Sequence, residues 1–269
     1  IDTRTATEYG LVRTFFDAVY TWTSGTYTSS SPSSYAGDGI AGGSFGLYFA
    51  FIQFAGFTMG KAVSQFDAPW SNYPANNFDG LVGGSGTTTG VNQFSYTAEF
   101  GQGVTASISL QDPTAYSQSN LWNTSGATAS GVLTGAYGAN SYGGTVAPDI
   151  IGMVRVDQAW GLFQASVAAH DIHATYYGAS ETSGHPADKW GWAAQLALSI
   201  KNIPTGAGDV VNLTAGYADG AGRYIWQSLD PTTLAMFGGT SLPGVYQSLG
   251  IASASDGVFS GTSAATGTA

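Results

Sequence analysis

The sequence predicts an all-β chain: a transmembrane, antiparallel, up-and-down sheet that curves into a β-barrel. Three observations predict it. Apolar and polar residues alternate with a period of two in segment after segment, and period two is the signature of a strand with two different faces. Charged residues are only 9% of the chain, against about 25% in a typical soluble domain, which covers its surface with them. The links between candidate strands are also short and long by turns, the asymmetry of barrels that cross an outer membrane.

The strands are expected at 1–9, 11–22, 43–55, 57–66, 90–100, 104–111, 148–159, 162–177, 189–201 and 209–220. The alternation is sharpest in DKWGWAAQLALSIKN (Asp188 to Asn202). There Trp190, Trp192, Ala194, Leu196, Leu198 and Ile200 form one face, and Lys189, Gly191, Ala193, Gln195, Ala197, Ser199 and Lys201 the other. The same pattern sets Asn92, Phe94, Tyr96, Ala98 and Phe100 against Val91, Gln93, Ser95, Thr97 and Glu99. It also sets Val104, Ala106, Ile108 and Leu110 against Thr105, Ser107, Ser109 and Gln111, and Ile150, Gly152, Val154 and Val156 against Ile151, Met153, Arg155 and Asp157. Val211, Leu213, Ala215 and Tyr217 alternate with Asn212, Thr214 and Gly216. Short turns fall at Gly10, Gly56, Gly101 to Gly103, Gly161 and 203–209. Long polar links fill 23–42, 67–89, 112–147, 178–188 and the chain after 221. Tyr9, Phe54, Phe57, Phe100, Trp160 and Phe163 flank the short turns, while Tyr20, Trp22, Tyr176, Tyr177, Trp190 and Trp192 lie toward the long links. Two such belts match the two interfaces of a membrane. The apolar face is therefore expected to meet lipid and the polar face a watery interior.

Composition narrows the partners. The chain has 269 residues and is expected to form one barrel segment over 1–269. With no cysteine it has neither disulfides nor thiolate-ligated metal. A formal net charge of −10 leaves no basic patch for nucleic acid. The longest apolar run, Gly46 to Phe57, contains Gln53 and falls short of the ~20 residues of a helical span.

Several stretches resemble the general diffusion porins of alphaproteobacteria, of the Rhizobiales type. DTRTATEYG (Asp2 to Gly10) is similar to that family's early strand and first periplasmic turn. FAGFTMGKAVSQFD (Phe54 to Asp67) resembles its strand, turn and strand leading into an inward-folded third loop. NFDGLVGGSGTTTGVNQFSYTAEF (Asn77 to Phe100) resembles the exit from that loop, and VAAHDIHATYYG (Val167 to Gly178) is also similar. The resemblance covers most of 1–225. It implies a sixteen-stranded, homotrimeric barrel in the bacterial outer membrane, with 67–89 folded inward as a constriction. Small hydrophilic solutes and ions would pass it, and no cofactor would be needed. About ten of the sixteen strands are recognisable. The first strand and the last five of that plan are not, so the chain reads as a porin segment incomplete at both ends.

The expected constriction residues follow from this plan. In DAPWSNYPANNFDG, Asp67 and Asp79 would face passing ions, since 67–89 holds no Lys or Arg; a narrow low-dielectric pore focuses such charges. The bland reading is a surface loop whose Asp, Asn, Pro and Gly only form turns. Arg13, Lys61, Arg4 and Arg155 would make a basic wall on the lumen face, or would merely pair with Asp2, Glu8, Asp17 and Asp157. The expected preference is weakly for cations. His170, His173 and His185 are not spaced as a zinc set, GGSGTTTG lacks the lysine of a phosphate loop, and no G-x-S-x-G nucleophile elbow occurs. A barrel hydrolase would need a Ser/His/acid set at one strand end, and none is arranged so; no enzyme is expected. The alternative is a soluble secreted β-protein that binds carbohydrate through its aromatic residues.

Overall fold

The computed structural model of the chain describes residues 1–23, 42–71, 89–126, 140–206, 208–225, 234–235, 251–252 and 255–263. Its frame is a ten-stranded antiparallel sheet made of β1 (Asp2–Thr7), β2 (Gly10–Thr23), β3 (Gly42–Phe54), β4 (Phe57–Ala62), β5 (Val91–Gly101), β6 (Val104–Gln111), β8 (Asp149–Gln158), β9 (Gly161–Ile172), β10 (Lys189–Lys201) and β11 (Val210–Asp219). Each strand pairs with its neighbour along the chain, except that β6 meets β8 directly. β7 (Leu121–Asn123) instead pairs in parallel with β14 (Gly257–Phe259), and β12 (Leu234–Ala235) pairs with β13 (Ile251–Ala252). Among the described residues no pairing joins β1 to β11, so the sheet has two edges. No helix among them is long and apolar enough to cross a membrane.

The short turns explain how adjacent strands stay in register. Ala55 and Gly56 both have positive φ, at 50° and 84°, the backbone of a two-residue hairpin turn that matches strand twist. At the turn between β5 and β6, a Cβ on Gly103 would lie 1.9 Å from the Asp157 carbonyl oxygen. Only glycine lets β8 approach so closely, and Asp157 N–H donates to Gly103 O at 2.9 Å.

The register also fixes the tilt. From Phe57 at the start of β4, successive partners are Tyr96, Ile108, Gly152, Val167 and Ala194. With the short turns at one level, Ala194 stands about seven residues above the turn end of β10. Five pairings at ~4.8 Å and about seven residues at ~3.3 Å incline the strands by roughly 45°, the tilt of transmembrane barrels.

The two faces are inverted relative to a soluble protein. One row of partners runs Phe94, Leu110, Ile150, Ala169, Trp192, and another runs Ala98, Ala106, Val154, Ala165, Leu196, Ala215. Of these, Phe94, Leu110, Ile150, Trp192, Val154 and Leu196 are exposed, Leu196 at 53%. On the opposite face Gln93, Ser95, Ser109, Gln111, Gln164, Ser166, Gln195 and Ser199 are buried. The belt residues Tyr9, Phe57, Phe100, Trp160 and Phe163 at the short turns and Tyr20, Tyr176, Trp190 and Trp192 toward the long links are exposed as well.

Two strands are shorter than the sequence suggests. β4 stops at Ala62 rather than 66, because Gln93 Nε2 donates to the carbonyls of Ala62 (2.9 Å) and Val63 (2.7 Å) and draws the chain off the sheet. β9 stops at Ile172 rather than 177; beyond it, Ala174 bridges to Tyr142 and His173 Nδ1 meets Asp188 Oδ1 at 2.7 Å. β7, inside the expected link 112–147, was not foreseen.

Candidate functional site

Directly opposed residues share a face, so the register names the inner wall. Arg13, Gln53, Thr58, Ser95, Ser109, Ile151, Ala168 and Ala193 are successive partners from β2 to β10. The chain that leaves β4 runs across this wall. Ser64 Oγ donates to Gln111 Oε1 (2.9 Å) and Ser107 Oγ to Gln65 Oε1 (3.0 Å). Gln164 Nε2 donates to Asp67 O (2.8 Å), and Gln195 Nε2 to Phe66 O (3.2 Å). Phe66 is fully buried against Ile151, Ala168, Ala193 and Tyr224, its ring edge-on to Tyr224 at 4.9 Å. The glutamines of β5, β6, β9 and β10 thus serve the segment's backbone and side chains. A loop laid on a sheet face has carbonyls that the sheet ladder cannot satisfy, and a primary amide reaches them without adding a charge.

The expected site residues divide. Arg4 and Arg13 are direct partners across β1 and β2 and converge on Asp2. Arg13 Nε and one terminal nitrogen lie 3.0 and 3.1 Å from the Asp2 oxygens, and Arg4 lies 3.3 Å away. The other Arg13 nitrogen donates to Gln53 Oε1 at 3.1 Å, and the guanidinium stands over the rings of Phe15 and Phe51. Arg155 is on the same face in β8, with Nε donating to Gln164 Oε1 at 2.9 Å. Lys61 departs from its expected face. It opposes Ala50 and Asn92 and shares parity with Phe57 and Met59, so it belongs to the outward side; its Nζ turns to the Leu47 carbonyl at 2.8 Å and to the Tyr116 ring. Asp67, within this segment, is buried at 5% exposure, not displayed to an open lumen. Asp79 lies outside the described residues, as does most of 67–89.

A second group on the inner wall was missed by the sequence reading. Asp149 and His170 are wall residues of β8 and β9, both fully buried. His170 Nδ1 lies 2.8 Å from Asp149 Oδ1; its Nε2 lies 3.1 Å from the Tyr142 hydroxyl and 3.4 Å from Asp256 Oδ2. Tyr142 O–H donates to Asp256 Oδ2 at 2.7 Å, and Tyr224 O–H to Asp149 Oδ2 at 2.5 Å. Burial, reinforced by the neighbouring carboxylates, pushes both tyrosine hydroxyls well above their ordinary range, so both remain protonated donors. These partners are up to 114 residues apart, and no local spacing announces them. The cluster pins the 255–263 stretch to the wall: Ser119 N–H also donates to Asp256 Oδ2, at 2.7 Å.

Compared with known proteins, residues 1–259 match the model of the porin subfamily. No curated protein and no solved structure matches the chain.

Proposed function

The chain belongs to the porin subfamily, and on that premise we propose that it lines a water-filled path for passive diffusion of small hydrophilic solutes and ions across a bacterial outer membrane. The observation that carries this reading is the inversion of faces: leucine, valine and tryptophan outward and exposed, glutamine and serine inward and buried. Lipid is the solvent that rewards such an outside. The four stretches quoted above further support an alphaproteobacterial type of porin, assembled as a trimer.

We place the path along the wall of β1 to β4. The inner face there keeps its charges wet: the Arg13 and Asp2 side chains are 30% and 33% exposed, whereas the wall from β5 to β10 is covered by the 62–71 segment. The segment 67–89, entered in this way, acts as the constriction. An acidic excess of ten charges makes the path weakly cation-preferring, and salt screens that preference over about 8 Å at physiological strength. Asp79 carries more of it than Asp67, which is buried. The test is the reversal potential of the protein in a planar bilayer under a KCl gradient. Replacing Asp67 and Asp79 together by Asn shifts it toward the anion side, most of the shift coming from Asp79→Asn. An unchanged potential removes both residues from selectivity; no conductance steps at all overturn the channel itself.

A further inference from the structure

Just beyond β9, three stretches of chain meet side by side. Ala174 bridges to Tyr142, Gly143 N–H donates to His173 O at 2.9 Å, and His173 Nδ1 lies 2.7 Å from Asp188 Oδ1. The His173 ring therefore has Asp188 at its Nδ1 edge and Gly143 at the other. Glycine matters at 143, because a Cβ there would lie 2.7 Å from His173 Cδ2 and 3.0 Å from Nε2. The room it leaves belongs to a cavity of about 190 Å³, and His185 lines the same cavity from the opposite side of the link.

The two imidazoles are fixed in the same chemical sense. His173 Nδ1 faces a carboxylate, and His185 Nδ1 faces the Pro186 carbonyl oxygen at 2.6 Å. Neither acceptor has a proton to give, so Nδ1 carries the hydrogen in each neutral ring and Nε2 keeps its lone pair. Among the described residues neither Nε2 has a hydrogen-bond partner. His173 Nε2 is open to solvent, with the side chain 23% exposed, and His185 is an exposed residue. The ring centres stand 5.6 Å apart with their planes at 56°. Imidazole nitrogens hold a transition metal at about 2.0–2.1 Å, which sets the centres of two rings on one tetrahedral ion about 5.2 Å apart. A small turn of the exposed His185 closes the difference. A carboxylate on one Nδ1 and a carbonyl on the other are also the partners that orient metal-binding histidines and raise the basicity of the ligating nitrogen. Among the described residues no set of three His, Asp or Glu side chains stands together for a metal, so the protein supplies two ligands and water the rest. Imidazole suits copper, nickel and zinc, whereas magnesium and calcium take oxygen. We propose that His173 and His185 form a binding site for a divalent transition-metal ion, copper most tightly, with Asp188 as the positioning residue of His173.

The site goes beyond the channel reading and does not rest on it. It is tested by titration calorimetry and electron paramagnetic resonance on the whole chain in detergent, with copper(II), zinc(II) and magnesium chlorides as probes. Copper is expected to bind saturably, zinc at least about tenfold more weakly, and magnesium not at all. The copper spectrum is expected to carry the coupling of two imidazole nitrogens. His185→Ala is expected to weaken copper at least about tenfold and to leave one nitrogen in the spectrum. Asp188→Asn is expected to weaken copper about tenfold while keeping both nitrogens, and it reads the site independently should His185→Ala fail to fold. No saturable copper binding, zinc or magnesium binding as tightly as copper, fewer than two nitrogens in the unaltered chain, or copper binding indifferent to either variant overturns the proposal. Conductance is a separate readout: its loss would sink the channel reading and leave this site standing.

Discussion

The wall from β1 to β4 and the wall from β5 to β10 belong to one face of one sheet, yet their polar groups live in different solvents. On the first, Arg13 is held by Asp2 and Gln53 with water at hand. On the second, Gln164 and Gln195 are almost wholly buried and spend their amides on the carbonyls of Phe66 and Asp67. The Arg13 guanidinium sits where water reaches it and neutral amides take up the buried carbonyls, while the buried titratable groups of the second wall, Asp149 and His170, are paired with each other, as the cost of burying an ion requires. The course of one ten-residue stretch, 62–71, makes the difference.

The sharpest way to break this contrast is at Phe66. Phe66→Ala removes a fully buried ring and is expected to lower the unfolding free energy by about 3–5 kcal/mol, read by denaturant titration in detergent. Phe15→Ala on the other wall, where the ring stacks on Phe51 at 5.2 Å but stays partly exposed, is expected to cost less than half as much. Equal losses would mean that the segment does not set the two walls apart. Gln164→Leu comes next. It strips the donor from Asp67 O and the acceptor from Arg155 in a buried place, and is expected to cost about 2–3 kcal/mol in the same titration. Gln53→Leu, whose partner Arg13 water can serve while Thr58 is buried, is expected to cost less than Gln164→Leu. The smallest effect on stability belongs to Arg13→Gln, which is expected to leave the unfolding midpoint in place while moving the KCl reversal potential further toward cations. A potential that does not move would place the ion path away from this wall.

Much of the fold was legible because period two is a local property. Leu196 and Gln195 declare opposite faces by adjacency, and no knowledge of the partner strand is needed. The face of Lys61 was equally legible: Thr58, Gly60 and Ala62 are small, Phe57 and Met59 large, and Lys61 shares the parity of the large set. An expectation about charge displaced the simpler evidence of spacing. What the sequence could not disclose is what lies over the polar face. Gln195 reads as polar and therefore as facing water, but its burial depends on a segment more than a hundred residues away. The cluster of Asp149, His170, Tyr142, Tyr224 and Asp256 is hidden for the same reason, since three-dimensional closure over such separations leaves no local spacing. Asp67 was expected to face passing ions and is buried instead, because a loop's course, not its composition, decides which of its side chains are exposed.

The order of the strands has a consequence for how the molecule comes together in time. The sheet is five hairpins, β1–β2, β3–β4, β5–β6, β8–β9 and β10–β11, each closed by a short turn. The joins between them span long links, the longest being 112–148. Closing that link instead of a two-residue turn costs about 2–3 kcal/mol more in loop entropy. A hairpin forms in about 1–10 μs, so the hairpins are the early species and the joins the slow ones, with the β6–β8 join the slowest of all. Length changes in the long links therefore act on the rate of assembly more than on the finished sheet. One residue added to a strand interior would instead turn every side chain beyond it to the wrong side.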